Sequence, residues 1–180
     1  MADPVVYRHA IESLFLRSLE GKLTVDLKDA LRAVGLDLDR NLPRGTPQPV
    51  YAAALGVTVH HLYGDLDKTE GYRQLGIAMM EGMTRTLLGK ALVSIFPIFG
   101  PDRVLTRMQE SFSTVNNYLT TKLHTHDVKH RELWFSECNG NPGYMQGIIE
   151  KGMQQAGAKN LCVVPHDFDG HQCTYDVCWD

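Results

Sequence analysis

The sequence predicts an α+β fold, in which a helical N-terminal two-thirds packs on a small, mostly antiparallel sheet formed by the C-terminal third. Apolar residues recur at helical spacing as far as Lys122, and beyond it the runs become short, aromatic and strand-like. An Asp-Gly pair at 169–170 separates two such runs, which is the strongest local signal of a β-hairpin. We expect one domain over residues 1–180, with the helical part at about 5–122 and the strand-helix-hairpin part at about 128–180.

Helix-capping residues, glycines and prolines mark the ends of the first three predicted helices. The segment His9–Leu19 has apolar residues at helical spacing. Asp26 can cap a second helix, and Gly35 stands where a left-handed residue would end it. The proline- and glycine-rich stretch Asp37–Pro49 is predicted to be a loop, and a third helix is expected at about Val50–Tyr63.

A long apolar helix is predicted to begin at the Asp67 cap, with Glu70 as in a capping box, and to run toward Phe96. Glycines at four positions weaken it: Gly71, Gly76, Gly82 and Gly89. Each costs up to about 1 kcal/mol relative to alanine, so we expect some to allow the close approach of a neighbouring helix, with room for a ligand as the second explanation. The run 96–101 ends the helix, and the next one carries a buried stripe: Val104, Met108, Phe112, Val115 and Leu119.

The C-terminal third is predicted to form a strand, a helix and a hairpin. Glu132–Ser136 is aromatic and strand-like, and 139–143 is a dense turn signal. A short helix is expected at Tyr144–Ala156. Asn160–Val164 and Gln172–Trp179 then supply the two strands of the hairpin.

Composition and charge exclude several classes of protein. The chain has 43% hydrophobic and 22% charged residues, as ordinary globular proteins do, and its net charge of −3 offers no bulk attraction to nucleic acid. Residues 2–20 lack the pattern of a signal peptide. The most apolar stretch, Leu87–Phe99, contains Lys90 and Pro97 and is shorter than the roughly 20 residues that a membrane span needs. We therefore expect a core helix there, and a soluble cytoplasmic protein.

Four cysteines lie in the last quarter of the chain: Cys138, Cys162, Cys173 and Cys178. None forms a C-x-x-C pair, and reduced thiols are expected. The five-residue offset of Cys173 and Cys178 in a strand points them to opposite faces, which disfavours a shared metal. Cys138 precedes a glycine-rich turn and a helix, whose N-terminus could stabilise a thiolate, but a structural thiol is favoured.

A family resemblance is carried by five short motifs in fixed order: Leu62-Tyr63-Gly64-Asp65, Glu81-Gly82 to Gly89-Lys90-Ala91, Gly100-Pro101-Asp102-Arg103, Asn116-Asn117 and Tyr175-Asp176-Val177-Cys178-Trp179. Over nearly its whole length the chain resembles a large paralogous family of uncharacterised proteins found in myxobacteria. This resemblance implies little about activity.

The C-terminal helix, strand and hairpin are also similar to four-vinyl-reductase-type ligand-binding domains and to the related haem-nitric-oxide-binding and vesicle-tethering folds. Metal-binding members of that group use a cysteine in each strand of the terminal hairpin. Cys173 matches the second, whereas Pro165 and His166 stand near the first, where His166 or Cys162 could substitute. A zinc site is therefore not favoured. The axial histidine and propionate-binding motif that haem needs have no match, so we predict no cofactor.

Two other segments could bind a metal or DNA. The histidines at 124, 126 and 130 could share a face and ligate a metal, but no fourth ligand is visible and a solvated loop is favoured. The segment 50–63 resembles the turn and recognition helix of a helix-turn-helix, with Gly56 at the turn. It offers Thr58 and two histidines but no lysine or arginine for phosphates or guanines. DNA binding is therefore the third choice of function.

No set of acid, base and nucleophile converges in the sequence, so we expect a protein that is not an enzyme. The favoured function is a regulatory or sensory module that binds an apolar small molecule in a pocket between the long methionine-rich helix and the sheet. The candidate walls are Met79, Met83, Phe96, Phe99, Phe112 and Trp134. For any one of them, a role in the core without a ligand is the favoured interpretation. The alternative is a signalling adaptor that homodimerises or docks a partner protein through an unpaired edge of the tail strands.

Overall fold

The structure, a computed structural model, describes residues 3–86, 90, 91, 94 and 96–180. The N-terminal part contains β1 (Val5–Tyr7), α1 (Arg8–Ile11, continued by a π-helical segment Glu12–Ser18), a 3₁₀ turn (Glu20–Lys22), α2 (Val25–Ala33), β2 (Gly45–Pro47), α3 (Gln48–Tyr63), α4 (Lys68–Thr84), α5 (Phe96–Thr106) and α6 (Met108–Ser113). The C-terminal part contains β3 (Thr121–Thr125), β4 (His130–Phe135), α7 (Pro142–Gln155), β5 (Cys162–His166) and β6 (Cys173–Cys178). The predicted α+β class is confirmed.

The strands form two antiparallel sheets. One is the pair β1–β2, and the other has the order β3-β4-β6-β5. The sequence did not predict β1, β2 or β3. Within the larger sheet, Glu132 of β4 is paired with Asp176 of β6, and Asp176 is paired with Val164 of β5. Residues far apart in the chain are therefore neighbours on each face of this sheet.

Several helix boundaries follow the local signals. The Asp67 carboxylate accepts hydrogen bonds from the N–H groups of Thr69 and Glu70, as expected for the cap of α4. Gly35 after α2 has a φ of +97°, which glycine adopts without strain. The cap of α2, however, is Thr24 rather than Asp26, because the Thr24 hydroxyl accepts from the N–H of Leu27.

The long helix that begins after Asp67 is shorter than predicted. Helix α4 ends at Thr84, where the hydroxyls of Thr84 and Thr86 donate to backbone carbonyls one turn earlier. The expected core helix at 87–99 lies partly outside the described residues, as does Gly89. Gly100, with a φ of +74°, interrupts α5 just before Pro101, which confirms the predicted break.

Helices α4 and α7 are in close backbone contact. A Cβ atom placed on Gly76 of α4 would overlap the carbonyl oxygen of Tyr144, and one placed on Gly147 of α7 would overlap the carbonyl oxygen of Arg73. At Gly82, a Cβ would overlap the carbonyl oxygen of Ser13. Close helix approach, rather than room for a ligand, therefore explains Gly76 and Gly82.

The inner face of the larger sheet packs against the helices. The ring of Phe135 meets the rings of Phe112 and Tyr175 edge to face, with centroids 5.4 and 5.5 Å apart. The buried Arg131 guanidinium lies on the same side of the sheet and forms an ion pair with Asp102 of α5 at 2.5 Å. No helix in the described part of the chain is both long and apolar enough to cross a membrane.

Candidate ligand-binding site

A cavity of about 100 Å³ lies among α4, α5, α6 and α7, with β1 and α1 at one side. Its apolar walls in the described part of the chain are Val6, Ala10, Met79, Met80, Met83, Phe96, Val104, Met108, Phe112, Val115, Met145, Ile148 and Gly152. The described residues of the larger sheet do not line it, so the cavity lies mainly among helices rather than between α4 and that sheet. Its apolar character favours apolar occupants.

Methionines dominate the walls of this cavity. Three come from α4, at 79, 80 and 83, and two more face them from α6 and α7, at 108 and 145. Methionine is unbranched and polarizable, so its side chain can adjust to occupants of different shape. Gly152 of α7 leaves additional room, because an added Cβ would find only the Met80 methyl, at 3.7 Å.

One polar end of the cavity contains three tyrosines and Asn139, and the other polar residues of its described walls are Ser111, Thr114 and Asn116. The hydroxyls of Tyr51 on α3 and Tyr144 on α7 are 2.6 Å apart and both side chains are buried. Beside them, the Tyr118 hydroxyl donates to Oδ1 of Asn139 at 2.9 Å. Gln48 donates to the same oxygen at 3.4 Å, so the acceptor of Asn139 is already engaged.

These hydroxyls are protonated donors at neutral pH. Burial raises the pKa of Tyr51, Tyr118 and Tyr144 above that of a solvated tyrosine. The Tyr51–Tyr144 pair carries two O–H hydrogens, and one of them makes the bond between the hydroxyls. Within the described part of the chain the other hydrogen has no protein acceptor, so it can be donated to an occupant of the cavity.

The buried tyrosines predict a loss of stability at alkaline pH. A raised pKa contributes stability that is complete below the unfolded-state pKa of about 10 and is lost as the pH rises toward the folded-state pKa. We therefore expect the free energy of unfolding by urea to fall above about pH 10. Tyrosinate absorbance should show fewer of the seven tyrosines ionised in the folded protein than in the unfolded chain at the same pH. Equal ionisation in both states would contradict the burial of these hydroxyls.

The structure brings together four of the six residues that the sequence suggested as ligand-binding. Met79, Met83, Phe96 and Phe112 line the cavity. Phe99 lies instead in an adjoining groove of about 170 Å³, where the Arg107 guanidinium stacks over its ring at 4.7 Å. Trp134 is on the outer face of β4 and does not line the cavity, and the Lys122 ammonium lies 4.6 Å from its ring centroid.

Sequence reasoning missed the polar end of the cavity. Tyr51 and Tyr144 are 93 positions apart and belong to different helices, and no local pattern joins them. The sequence around Asn139 predicts only a turn. The φ of +52° at Asn139 fits that prediction, but the same turn also presents its side chain to Tyr118.

A protein-family model matches nearly the whole chain. The model described as "Protein of unknown function (DUF2378)" matches residues 4–180. The chain belongs to this family. No curated protein matches the sequence of this DUF2378 member.

Solved structures of H-NOX proteins share the fold of this DUF2378 chain. An H-NOX protein studied for haem distortion superposes with a TM-score of 0.69 at 14% identity, covering 95% of this chain and 93% of its own. An oxygen-binding H-NOX domain related to soluble guanylate cyclases gives 0.66 at 12%, covering 94% and 93%. The unliganded Fe(II) H-NOX protein from K. algicida gives 0.62 at 9%, covering 96% and 95%. At these identities the likeness establishes the fold.

The cavity residues of this DUF2378 chain do not fit haem. Histidine, lysine and arginine are absent from the described cavity walls, so neither a histidine ligand nor a cationic partner for propionates is supplied there. The void of about 100 Å³ is also well below the roughly 300 Å³ at which pockets for larger ligands begin. The fold is shared with H-NOX proteins, but the described residues of this cavity do not supply a haem site.

The structure contradicts the helix-turn-helix interpretation of 50–63. Helix α3 is continuous through Gly56, so the required turn is missing. Thr58, one of the residues that would contact DNA in that interpretation, is fully buried, and its hydroxyl donates to the carbonyl of Ala54. The segment is a core helix.

The cysteines do not form a metal site in the described part of the chain. Cys173 is buried, and its thiol donates to the carbonyl oxygen of His166, whereas Cys162 is exposed on the opposite face of the sheet. Cys138 is buried beside the Tyr175 hydroxyl at 3.4 Å, and its pKa is raised by its contact with Cys173 and by burial. That environment is typical of a structural thiol.

Proposed function

We propose that this protein is a non-enzymatic sensory module that binds a small, largely apolar molecule carrying one oxygen acceptor. The observation that supports this best is the combination of apolar walls with one spare tyrosine O–H at the end of the cavity. Pockets of this kind bind through apolar contact and orient their ligand through a few polar groups. The oxygen-binding H-NOX domain is a precedent for small-molecule binding by a protein of the same fold.

The volume limits the size of the ligand. An engineered apolar cavity of about 150 Å³ accommodates benzene, so a void of about 100 Å³ bounded by adaptable methionines suits molecules up to one ring. An alcohol, phenol or ketone of that size would place its oxygen at the Tyr51–Tyr144 pair. A charged group would find no partner on the described walls, so ions are disfavoured.

Ligand binding would be sensed through movement of α5 and α6, which form one wall of the cavity. One side of the cavity is the α4–α7 pair, whose backbones are in contact at Gly76 and Gly147 and cannot approach further. The other side is formed by α5 and α6, and α5 is interrupted at Gly100. An occupant would therefore shift α5 and α6 in preference to α4 and α7, because a ligand favours the arrangement that it contacts best.

Phenol and benzene test this proposal as a matched pair of probes. Both should raise the thermal unfolding temperature, and phenol should do so more strongly because its oxygen can accept the spare hydrogen. A probe at 100 times its dissociation constant stabilises by about 2.7 kcal/mol. In the double variant Tyr51→Phe/Tyr144→Phe the preference for phenol should disappear while benzene still binds. Stabilisation by neither probe would contradict the proposal.

The alternative function, an adaptor that homodimerises or docks a signalling protein, has weaker support. Strands β3 and β5 are the two edges of the larger sheet, and an edge can pair with another chain. Pro165 lies within β5, however, and lacks the N–H that such pairing needs. A concentration-dependent dimer in light scattering would favour the adaptor.

A further inference from the structure

The outer face of the larger sheet collects imidazoles and carboxylates from four separate segments. His130 and Glu132 lie on β4, Asp176 on β6 and His166 on β5, and His126 follows β3 in the hairpin that leads to β4. The strand register brings these segments together, because Asp176 is directly opposite Glu132. This face is remote from the methionine-lined cavity, whose described walls include none of these residues.

Asp176 is at the centre of the cluster. Its Oδ1 is 3.0 Å from Nε2 of His130, and its Oδ2 is 3.7 Å from Nε2 of His166. The ligand atoms of His126, His130 and Asp176 all lie within 4.8 Å of one another. Those of Glu132, His166 and Asp176 do so as well, and Glu132 is 3.5 Å from Nε2 of His126.

His166 adds an independent sign that the cluster is prepared for a cation. Its Nδ1 is 2.9 Å from the Asp167 carboxylate, which in the neutral imidazole favours the proton on Nδ1 and leaves a lone pair on Nε2. That Nε2 atom is buried and has no hydrogen-bond partner in the described part of the chain. A carboxylate that orients an imidazole in this way is the usual outer shell of a metal-binding histidine.

We propose that His126, His130 and Asp176 bind Zn²⁺ or a similar divalent metal ion, with Glu132 and His166 beside it as further donors. Two imidazoles and one carboxylate are a common ligand set for such ions. At zinc bond lengths of 2.0–2.2 Å, neighbouring ligand atoms of a tetrahedron are about 3.3–3.6 Å apart. In the proposed set, the separation of the His130 and Asp176 ligand atoms is 3.0 Å, and no two of the three ligand atoms are more than 4.8 Å apart, so side-chain rotations that move them by about an ångström would bring them into that range.

The histidines at 126 and 130 were suggested by the sequence, which offered no fourth ligand. The fold supplies Asp176, 46 positions after His130. The ion would join the β3–β4 hairpin to β6 and so stabilise the exposed side of the sheet. This binding site is separate from the proposed small-molecule cavity, and either can exist without the other.

Calorimetric titration of the chelator-treated full chain with ZnCl₂ tests the site. We expect one ion per chain, and at least tenfold weaker binding in Asp176→Asn and in His126→Ala. His126 is exposed in the hairpin, so its replacement should leave the circular dichroism spectrum unchanged. His60→Ala, at an exposed position on α3, is the matched control and should bind zinc as the wild type does.

The neighbouring thiols need their own control, because Cys162 and Cys178 are paired on β5 and β6 on this same face. The double variant Cys162→Ser/Cys178→Ser should retain wild-type zinc affinity. Loss of binding in that variant would assign zinc to the thiols and overturn the proposal. Absence of saturable binding to the wild type, or full affinity in Asp176→Asn, would overturn it as well.

Discussion

Replacing Gly147 by alanine is expected to lower the free energy of unfolding by about 3 kcal/mol, as overpacking at a close contact does. The new Cβ would overlap the carbonyl oxygen of Arg73 and press on the backbone nitrogen of Ile77. Both atoms belong to the backbone of α4, so no side-chain rotation can relieve the contact and the two helices must separate. Urea unfolding followed by circular dichroism measures the effect.

The substitution Gly152→Ala is the matched control, on the same helix and of the same chemistry. Here the nearest atom to an added Cβ is the Met80 methyl at 3.7 Å, an ordinary van der Waals contact. Alanine is favoured over glycine in a helix by up to about 1 kcal/mol, so this variant should be as stable as the wild type or more so. Equal stability of the two alanine variants would show that α4 and α7 are not in backbone contact.

A leucine at position 152 is expected to abolish binding of the phenol probe. Its side chain adds about four carbons on the side where Gly152 lines the cavity, and these would occupy much of a void of about 100 Å³. The folded protein should tolerate the change, because the leucine fills space rather than displacing backbone. Thermal unfolding with and without phenol measures the loss as a missing increase in the unfolding temperature.

Gly152→Ala again serves as the control for the leucine variant, since one methyl group leaves most of the cavity open. It should retain stabilisation by phenol. If Gly152→Leu remained folded and still responded to phenol as the wild type does, the probe would bind elsewhere.

Local signals in the sequence recovered most of the fold because they act within a few residues. The Asp67 cap and the positive φ of Gly35 and of Gly170, in the loop between β5 and β6, each depend on the residue type itself. The three-residue strands β1 and β2 depend on distant partners instead. For example, the backbone N–H of Val5 donates to the Asn117 side chain at 2.8 Å, and no short-range pattern reveals that contact.

Strand β3 was missed for a different reason. Its sequence, Thr-Lys-Leu-His-Thr, is polar at four of five positions, so it lacks the alternation that marks a half-buried strand. Pairing with β4 makes it the edge of the sheet. The same hairpin places His126 and His130, in a run that was expected to be a solvated loop, beside Glu132 and Asp176.

The cavity could be predicted only in part. Apolar spacing indicates that Met79, Met83 and Phe112 face inward, but it does not distinguish a residue that fills the core from one that borders a void. Trp134 shows that an aromatic residue in a predicted strand does not have to face the core. It belongs to an aromatic strand, yet the period of two in β4 turns it to the outer face. The tyrosine pair required the three-dimensional packing of α3 against α7.

Methionine methyl NMR during a titration with phenol tests the central claim most directly. Five methionines, at 79, 80, 83, 108 and 145, line the cavity, whereas Met153 is buried outside its walls and is an internal control. We expect saturable shifts of the five cavity methyl signals, little change at Met153, and no response in Gly152→Leu. Unchanged cavity methyl signals at saturating phenol, or equal shifts at Met153, would contradict the account.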